Sequence, residues 1–514
     1  MRSRFWMCFT AVAAFVVLAS SVSFAAQENE APAKKPTQHH HYQFIDLGTF
    51  GGPTSYFSNG ADGILNSRGT AVGWADTSTP DPYPGSCFNP DCFVSHAFQW
   101  QNGVLNDLGV LPGGASSLST WISPNGLVAG FSQNGEIDPL IPGLPEDHAV
   151  LWRKGGILDL GTLPGGYESQ GYAVNSRGQV IGLALNGVPD PLSIFGYQAR
   201  AFLWQNGAMQ DLGTLGGPDA IAFFLNEPGQ VTGFSYISST PNSVATPCGA
   251  NIPTADPFLW DNVTMLDLGT LGGTCGIPSA INARGQVVGQ SDMAGELTFH
   301  PFLWTKPGPM QDLGTLGGDN GLTTWINDDG AIVGDADRPG SQQHDAVLWS
   351  DGMMIDLGVL AGDSCSKAYY VNSRVQIVGT SENQTLCDIP TGEHAFLWEN
   401  GGPMVDLNSL VPPGSSLELT FAFAINDHGE IVGVGVPQGC APGDVDLCGH
   451  AFVLIPCDQH HPGLEGCDYS LTEGSPAASV RPTLRATPGR IVPTPLWQRS
   501  NRFHLPGPVI RQTN

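Results

Sequence analysis

The sequence predicts an all-β protein: an eight-bladed β-propeller of four-stranded blades, in which an N-terminal strand closes the last blade. Three observations carry this reading. First, the string Asp211-Leu212-Gly213-Thr214-Leu215-Gly216-Gly217 recurs almost unchanged at residues 267–273 and 312–318. Looser copies start at Asp46, Asp107, Asp159 and Asp356, and a worn one is Asp406-Leu407-Asn408. Second, glycine (67) and proline (41) are abundant and no long stretch has apolar residues at helical spacing, which favours short strands joined by tight turns. Third, each repeat holds four short β-type runs, and four strands in a unit of this period mark a propeller blade.

Blade three shows the four runs, at 171–175, 178–182, 200–204 and 208–212. Each is apolar or alternating and is bounded by Gly or Asn. The first two are joined by Asn-x-x-Gly, as at Asn175–Gly178, Asn282–Gly285 and Asn327–Gly330. Asn can bond its own backbone and Gly takes a positive φ, so the turn is tight. The third and fourth are joined by Asn-Gly at 102–103, 206–207 and 400–401, a strong hairpin signal. The second-to-third connection varies in length, with long loops at 75–95, 131–147, 183–198 and 235–255.

The second-strand motif starts at 69, 126, 178, 229, 285, 330, 375 and 429, with Val375 in place of the first Gly. The third-strand motif starts at His96, His148, Arg200, Asp256, His300, Asp345, His394 and His450. Eight of each gives eight blades. The chain opens on a lone fourth-type strand at 42–48 and leaves the array on a third-type strand at 450–454. The first strand therefore completes the eighth blade and removes an open sheet edge.

Flanking segments are of other kinds. Arg2 and Arg4 precede an apolar run at about 9–18, and small residues lead to Ala25 and Ala26. This is the pattern of a secretory signal peptide over 1–26, too short to span a membrane. It predicts an exported protein, extracellular or at the cell surface, with the periplasm as the alternative. A flexible linker is expected at 27–40, the propeller at 41–456, a disulfide loop at 457–470 and a disordered Pro- and Arg-containing tail at 471–514. The run His39-His40-His41 is read as exposed and polar, with adventitious metal binding as the other reading. No membrane span is expected in the mature chain, and the expected state is a monomer. The formal net charge of -27 argues against nucleic acid, which requires a basic footprint.

Of eleven cysteines, Cys8 leaves with the signal segment. An even number in an exported chain predicts disulfides, and the absence of Cys-x-x-Cys argues against a zinc or redox site. Five near-neighbour bridges are expected: Cys87–Cys92, Cys248–Cys275, Cys365–Cys387, Cys440–Cys448 and Cys457–Cys467.

The string His394-Ala395-Phe396-Leu397-Trp398 occurs together with Asp-Leu-Gly-Thr-Leu-Gly-Gly and Ile281-Asn282-x-x-Gly285-Gln286-Val287-Val288-Gly289. In this combination the chain resembles the bacterial extracellular HAF repeat family over about residues 42–456. The resemblance implies an exported repeat protein and no established activity. Arg200, Asp256 and Asp345 stand where the name-giving His would be, so that His is not needed in every blade.

Pairing across Asn206-Gly207 sets Phe202 opposite Asp211 and brings residue 200 within reach of Asp211 on the same face. The same register predicts the pairs His96–Asp107, His148–Asp159, Arg200–Asp211, His300–Asp312 and His394–Asp406. A His-Asp dyad suits acid–base catalysis. Repetition in every blade instead favours a structural role, since a catalytic site is needed once. Asp256 with Asp267 and Asp345 with Asp356 place two carboxylates together, which makes them weak candidates for calcium. No other cofactor is expected. The preferred function is non-enzymatic binding of a glycan or protein at the face carrying the long loops. The alternative is an exported propeller enzyme, a quinoprotein-like dehydrogenase or a glycoside hydrolase. The former would use adjacent cysteines, which are lacking, and the latter a pair of carboxylates in one cleft.

Overall fold

The computed structural model describes residues 38–473 apart from 58–62, 85–86, 155, 194, 243–251, 296–297, 341–342, 384–386, 388–391 and 441–443. The expected signal segment, most of the expected linker and the tail beyond 473 lie outside the described residues. No described helix is long and apolar enough to cross a membrane.

Eight four-stranded antiparallel blades follow one another along the chain. A single parallel bridge, Ala255 to Cys275, joins the sheets of blades four and five. Blade one is Gly51–Tyr56, Ala71–Pro80, Phe93–Gln101 and Val104–Asp107. Blade eight takes Leu417–Ile425, Ile431–Pro437 and His450–Pro456 from the end of the array. Its fourth strand is Tyr42–Asp46, paired from Tyr42↔Pro456 to Asp46↔Phe452. The N-terminal strand thus closes the ring.

The expected cores of the strands are in place, but their lengths differ. In blade three the second and third strands are Val180–Pro189 and Tyr197–Gln205, far longer than 178–182 and 200–204. Blades one, two and four are built alike, with Ala71–Pro80, Val128–Ile137 and Val231–Pro241 as second strands. The long loops of these blades are therefore mostly hairpin. Each carries a register shift and then pairs again at its tip, at Pro80↔Phe93, Ile137↔Pro145, Pro189↔Tyr197 and Pro241↔Pro253. Prolines occupy these tips, where a missing N–H is tolerated. The linker and tail expectations shift too: His39–His40 pairs with Leu471–Thr472 in a small two-stranded sheet.

Packing explains the motifs. The Phe of the third strand is fully buried at 98, 202, 258, 302, 396 and 452. Facing it stands a second-strand Gly. At Gly73, Gly289, Gly379 and Gly433 a Cβ would lie 2.6–2.7 Å from that ring and 1.9–2.3 Å from a first-strand carbonyl. No side chain fits there. In seven first strands the residue three before the turn is bulged: Thr120, Tyr172, Phe223, Ser279, Thr324, Tyr369 and Phe423. A bulge adds twist and re-aims its side chain. Here it reaches the neighbouring blade. The Thr120 hydroxyl donates to Gly171 O at 2.9 Å and that of Thr324 to Ala368 O at 2.8 Å. Tyr172 and Phe223 stack at 6.0 Å, and Tyr369 meets Phe423 edge-on at 5.5 Å.

The first turns lock the ring. The Asn amide of one turn donates to the carbonyl of the corresponding residue in the next blade. The links run Asn175 to Asn226 (3.4 Å), Asn226 to Asn282 (3.0 Å), Asn282 to Asn327 (3.1 Å), Asn327 to Asn372 (2.9 Å) and Asn372 to Asn426 (2.9 Å). Asn426 then reaches Asn66 across the closure at 3.1 Å, and Asn66 reaches Ser123 at 3.3 Å. Ser123 has no amide to continue. Asn125, in the same turn, bonds Ser176 O at 2.8 Å instead.

Four expected disulfides are formed: Cys87–Cys92, Cys365–Cys387, Cys440–Cys448 and Cys457–Cys467. Cys275 is disulfide-bonded, while Cys248 lies outside the described residues.

Two substitutions test this turn. Val375 stands at φ 58°, a left-handed conformation that its equivalents fill with Gly. A β-branched residue pays about 1–2 kcal/mol there, against roughly 0.5–1 kcal/mol of extra chain entropy for Gly. Val375 is also half-buried against the cluster that contains Leu360 and Trp398, packing worth roughly 1 kcal/mol, so Val375→Gly should leave stability within about 0.5 kcal/mol of the starting protein. Asn282→Ala, which strips a buried turn of its amide bonds, should cost about 2–3 kcal/mol. Denaturant unfolding of both variants measures the two effects, and the ring account fails if Asn282→Ala is neutral.

Candidate functional site

The two faces of the ring differ. One carries the short turns between first and second strands and between third and fourth strands, together with the seam where the two ends of the array meet. The other carries the second-to-third connections and the links between blades. On this second face the extended hairpins form a wall over blades one to four, whose second strands run 10 or 11 residues, while those of blades five to eight run 6 or 7.

The repeated polar pairs sit at its margin. His96 Nδ1 lies 2.8 Å from Asp107, His148 Nδ1 2.9 Å from Asp159, Arg200 Nε 3.0 Å from Asp211 and His300 Nδ1 2.9 Å from Asp312. His450 and Asp46 make an eighth-blade pair at 3.1 Å. The expected pairs did not include it, although the same register extended to the closing strand would have found it. Each Asp has a second task. Its Oδ1 accepts the N–H of the residue two further on, for example Gly109 at 2.7 Å and Gly161 at 2.8 Å. Burial pushes the carboxyls of Asp107 and Asp159 up, but the His bonds and these Gly N–H bonds outweigh it and hold both below the usual range.

Blade seven breaks the pattern, and the expected pair His394–Asp406 is a correction. Asp406 Oδ1 instead caps a short 3-10 turn, accepting from Asn408 N at 2.8 Å and Asn408 Nδ2 at 3.0 Å. His394 turns to Asp363, its Nδ1 3.2 Å from that buried carboxylate. The hydrogen bond from Asp363 raises the imidazole pKa, with Asp406 and Glu418 adding to it. The cause lies in the sequence of the connection, where Asn408-Ser409-Leu410-Val411-Pro412-Pro413 replaces Gly-Thr-Leu-Gly-Gly. A cleft of roughly 500 Å³ opens beside it, between blades seven and eight. His394, Asp406 and Glu418 line it, with Pro412 and Pro413 on one side and Pro437 and Gln438 on the other.

The paired carboxylates behave differently from one another. Burial first, and then the facing Asp267, push Asp256 up to about 7. Asp345 is gripped by Arg338, whose Nε lies 2.6 Å from its Oδ2, and burial still pushes it up to about 6. The slot beside Asp345 is thus filled by a guanidinium, with Asp356 behind. Among the described residues, no three His, Cys, Asp or Glu side chains stand in the geometry to hold a metal ion. Further buried acids share this face. Burial pushes Asp76 up to about 8 and Asp219 to about 7, and Glu168 well above the usual range.

No protein-family model matches the chain, and no curated protein matches it. Solved structures similar to it include the β-propeller domain of the Trilobed protease from Pyrococcus furiosus, 8% identical with a TM-score of 0.37, covering 71% of this chain and 98% of that one. Pyrococcus horikoshii acylaminoacyl peptidase is 11% identical with a TM-score of 0.30, over 71% of this chain and 51% of that one. TolB from Acinetobacter baumannii is 10% identical with a TM-score of 0.28, over 72% and 95%. The chain thus spans about half of the peptidase, and the likeness concerns fold alone.

A carboxyl whose pKa is raised by folding binds protons more tightly folded than unfolded. Its contribution is complete below the unfolded value and is lost as pH rises through the folded value. Asp256, Asp219, Asp76 and Asp345 therefore favour the fold at pH 4–5 and weaken it between pH 6 and 8. Asp256→Asn should raise the unfolding midpoint at pH 8 and leave it nearly unchanged at pH 4. A thermal melt at each pH checks this, and equal shifts at both would contradict the upward shift of Asp256.

Proposed function

We propose that this is an exported, non-enzymatic binding propeller of the HAF repeat kind, whose ligand, a glycan or a protein, docks on the face carrying the hairpin wall. The observation that carries the reading is the cleft between blades seven and eight. It is the place where the eightfold pattern of polar pairs gives way to an opening lined by carboxylates and prolines. A rigid ring with irregular connections on one face suits recognition, because little ordering is needed on binding. The four disulfides fit an oxidising compartment. The enzyme reading keeps one specific support: Asp406 and Glu418 line the same cleft beside His394.

The mature chain should bind saturably to one class in a panel of polysaccharides and cell-envelope fractions. Asp406→Asn combined with Glu418→Gln should weaken that binding at least tenfold without lowering the melting temperature. Binding that ignored this pair and tracked substitutions in the Asn-x-x-Gly turns would overturn the assignment. Turnover of a bound glycan, abolished in the same variant, would favour the hydrolase.

A further inference from the structure

On the opposite face the two ends of the array meet in a second cleft of roughly 350 Å³. Three imidazoles from distant parts of the chain line it: His40 from the short N-terminal strand, His428 from the turn at Asn426–Gly429 and His460 from the Cys457–Cys467 loop. The His428 ring centroid stands 6.5 Å from that of His460 and 6.5 Å from that of His461. His428 and His460 are exposed, and no hydrogen bond among the described residues holds either ring. This sets them apart from the third-strand histidines, which are tied to carboxylates.

The surroundings are negative. Asp458 holds His461 Nδ1 at 2.8 Å, Glu430 lies 3.7 Å from His461 Nε2, and Glu399 faces the cleft while accepting from His39 at 2.9 Å. Against these three carboxylates stands the single guanidinium of Arg374. With neutral imidazoles the local charge is about -2, which favours a dication. Imidazole donors select the zinc, nickel and copper class over calcium or magnesium.

We propose that this seam cleft binds one zinc-class divalent cation through His428, His460 and His40. The rings are not yet in ligand geometry, since metal–nitrogen distances are about 2.1 Å. Ligation therefore requires new rotamers of these exposed side chains. The ion then ties the N-terminal strand, blade eight and the disulfide loop together at the closure of the ring, and it stabilises the folded state by mass action.

The test uses the full mature chain, untagged and stripped of metal with a chelator, titrated calorimetrically with zinc chloride. A single saturable site and a raised melting temperature are expected. His428→Gln with His460→Gln should weaken zinc binding at least tenfold while the metal-free melting temperature stays unchanged. His504→Ala, in the C-terminal tail, should leave the titration as it was. The absence of saturable binding, its survival in the double variant, or its loss with His504→Ala would each overturn the proposal.

Discussion

The relation between neighbouring first turns is the constraint on which the rest of the ring depends. The Asn carbonyls at 66, 226, 282, 327, 372 and 426 accept twice, once from the N–H three residues on in their own turn and once from the amide of the preceding blade, as Asn282 O does from Gly285 and Asn226. Both lone pairs of a buried carbonyl are thereby used, and an amide left without its partner would be costly. The amide reaches the next turn only when adjacent blades hold a fixed separation. The same local bond, repeated, therefore sets the pitch of the whole ring. Where Ser123 cannot supply the amide, Asn125 two residues on keeps the contact through Ser176. The closure between Asn426 and Asn66 obeys the rule although 360 residues separate the two.

The Asp of the connecting motif works on the other face in a similar way. One oxygen shapes the exit turn through the Gly N–H, and the carboxylate also takes whatever residue the third strand presents, through the other oxygen in Asp107 and Asp211 and through the same one in Asp46. A His, an Arg or a second Asp, its carboxyl pushed up to about 7, stands there in blades one, three and four. Asp345 adds a fourth solution, with Arg338 brought in from its own hairpin. This tolerance explains why the His varies while the Asp persists. The geometry asks for a partner to a half-buried carboxylate and not for one particular chemistry.

Repetition of such contacts makes a stiff ring, and departures from repetition give it character. The hairpin wall on four consecutive blades extends their second and third strands beyond the repeat. The Pro412-Pro413 connection before blade eight lines a cleft of its own. The meeting of both chain ends collects histidines that no single repeat contains. Each departure lies in a connection or at a terminus, where an inserted residue disturbs no strand pairing, whereas a change within a strand would displace every side chain of that blade.

The sequence by itself determined the blade count, the strand order within a blade, the closing role of residues 42–46 and the register of the last hairpin, such as Phe202 opposite Asp211. These follow from local rules: a two-residue period, turn residues that demand a positive φ, and a motif repeated often enough to average out its exceptions. Tertiary structure alone decided the rest. Whether 183–198 is loop or hairpin depends on pairing across a register shift that no local signal marks. Whether His394 meets Asp406 or Asp363 depends on which carboxylate the neighbouring turn has already engaged, because a side chain chooses among partners that lie far apart in sequence and become neighbours only when the blades pack. The gathering of His40, His428 and His460 has the same origin, since residues hundreds of positions apart come together only when the ring closes.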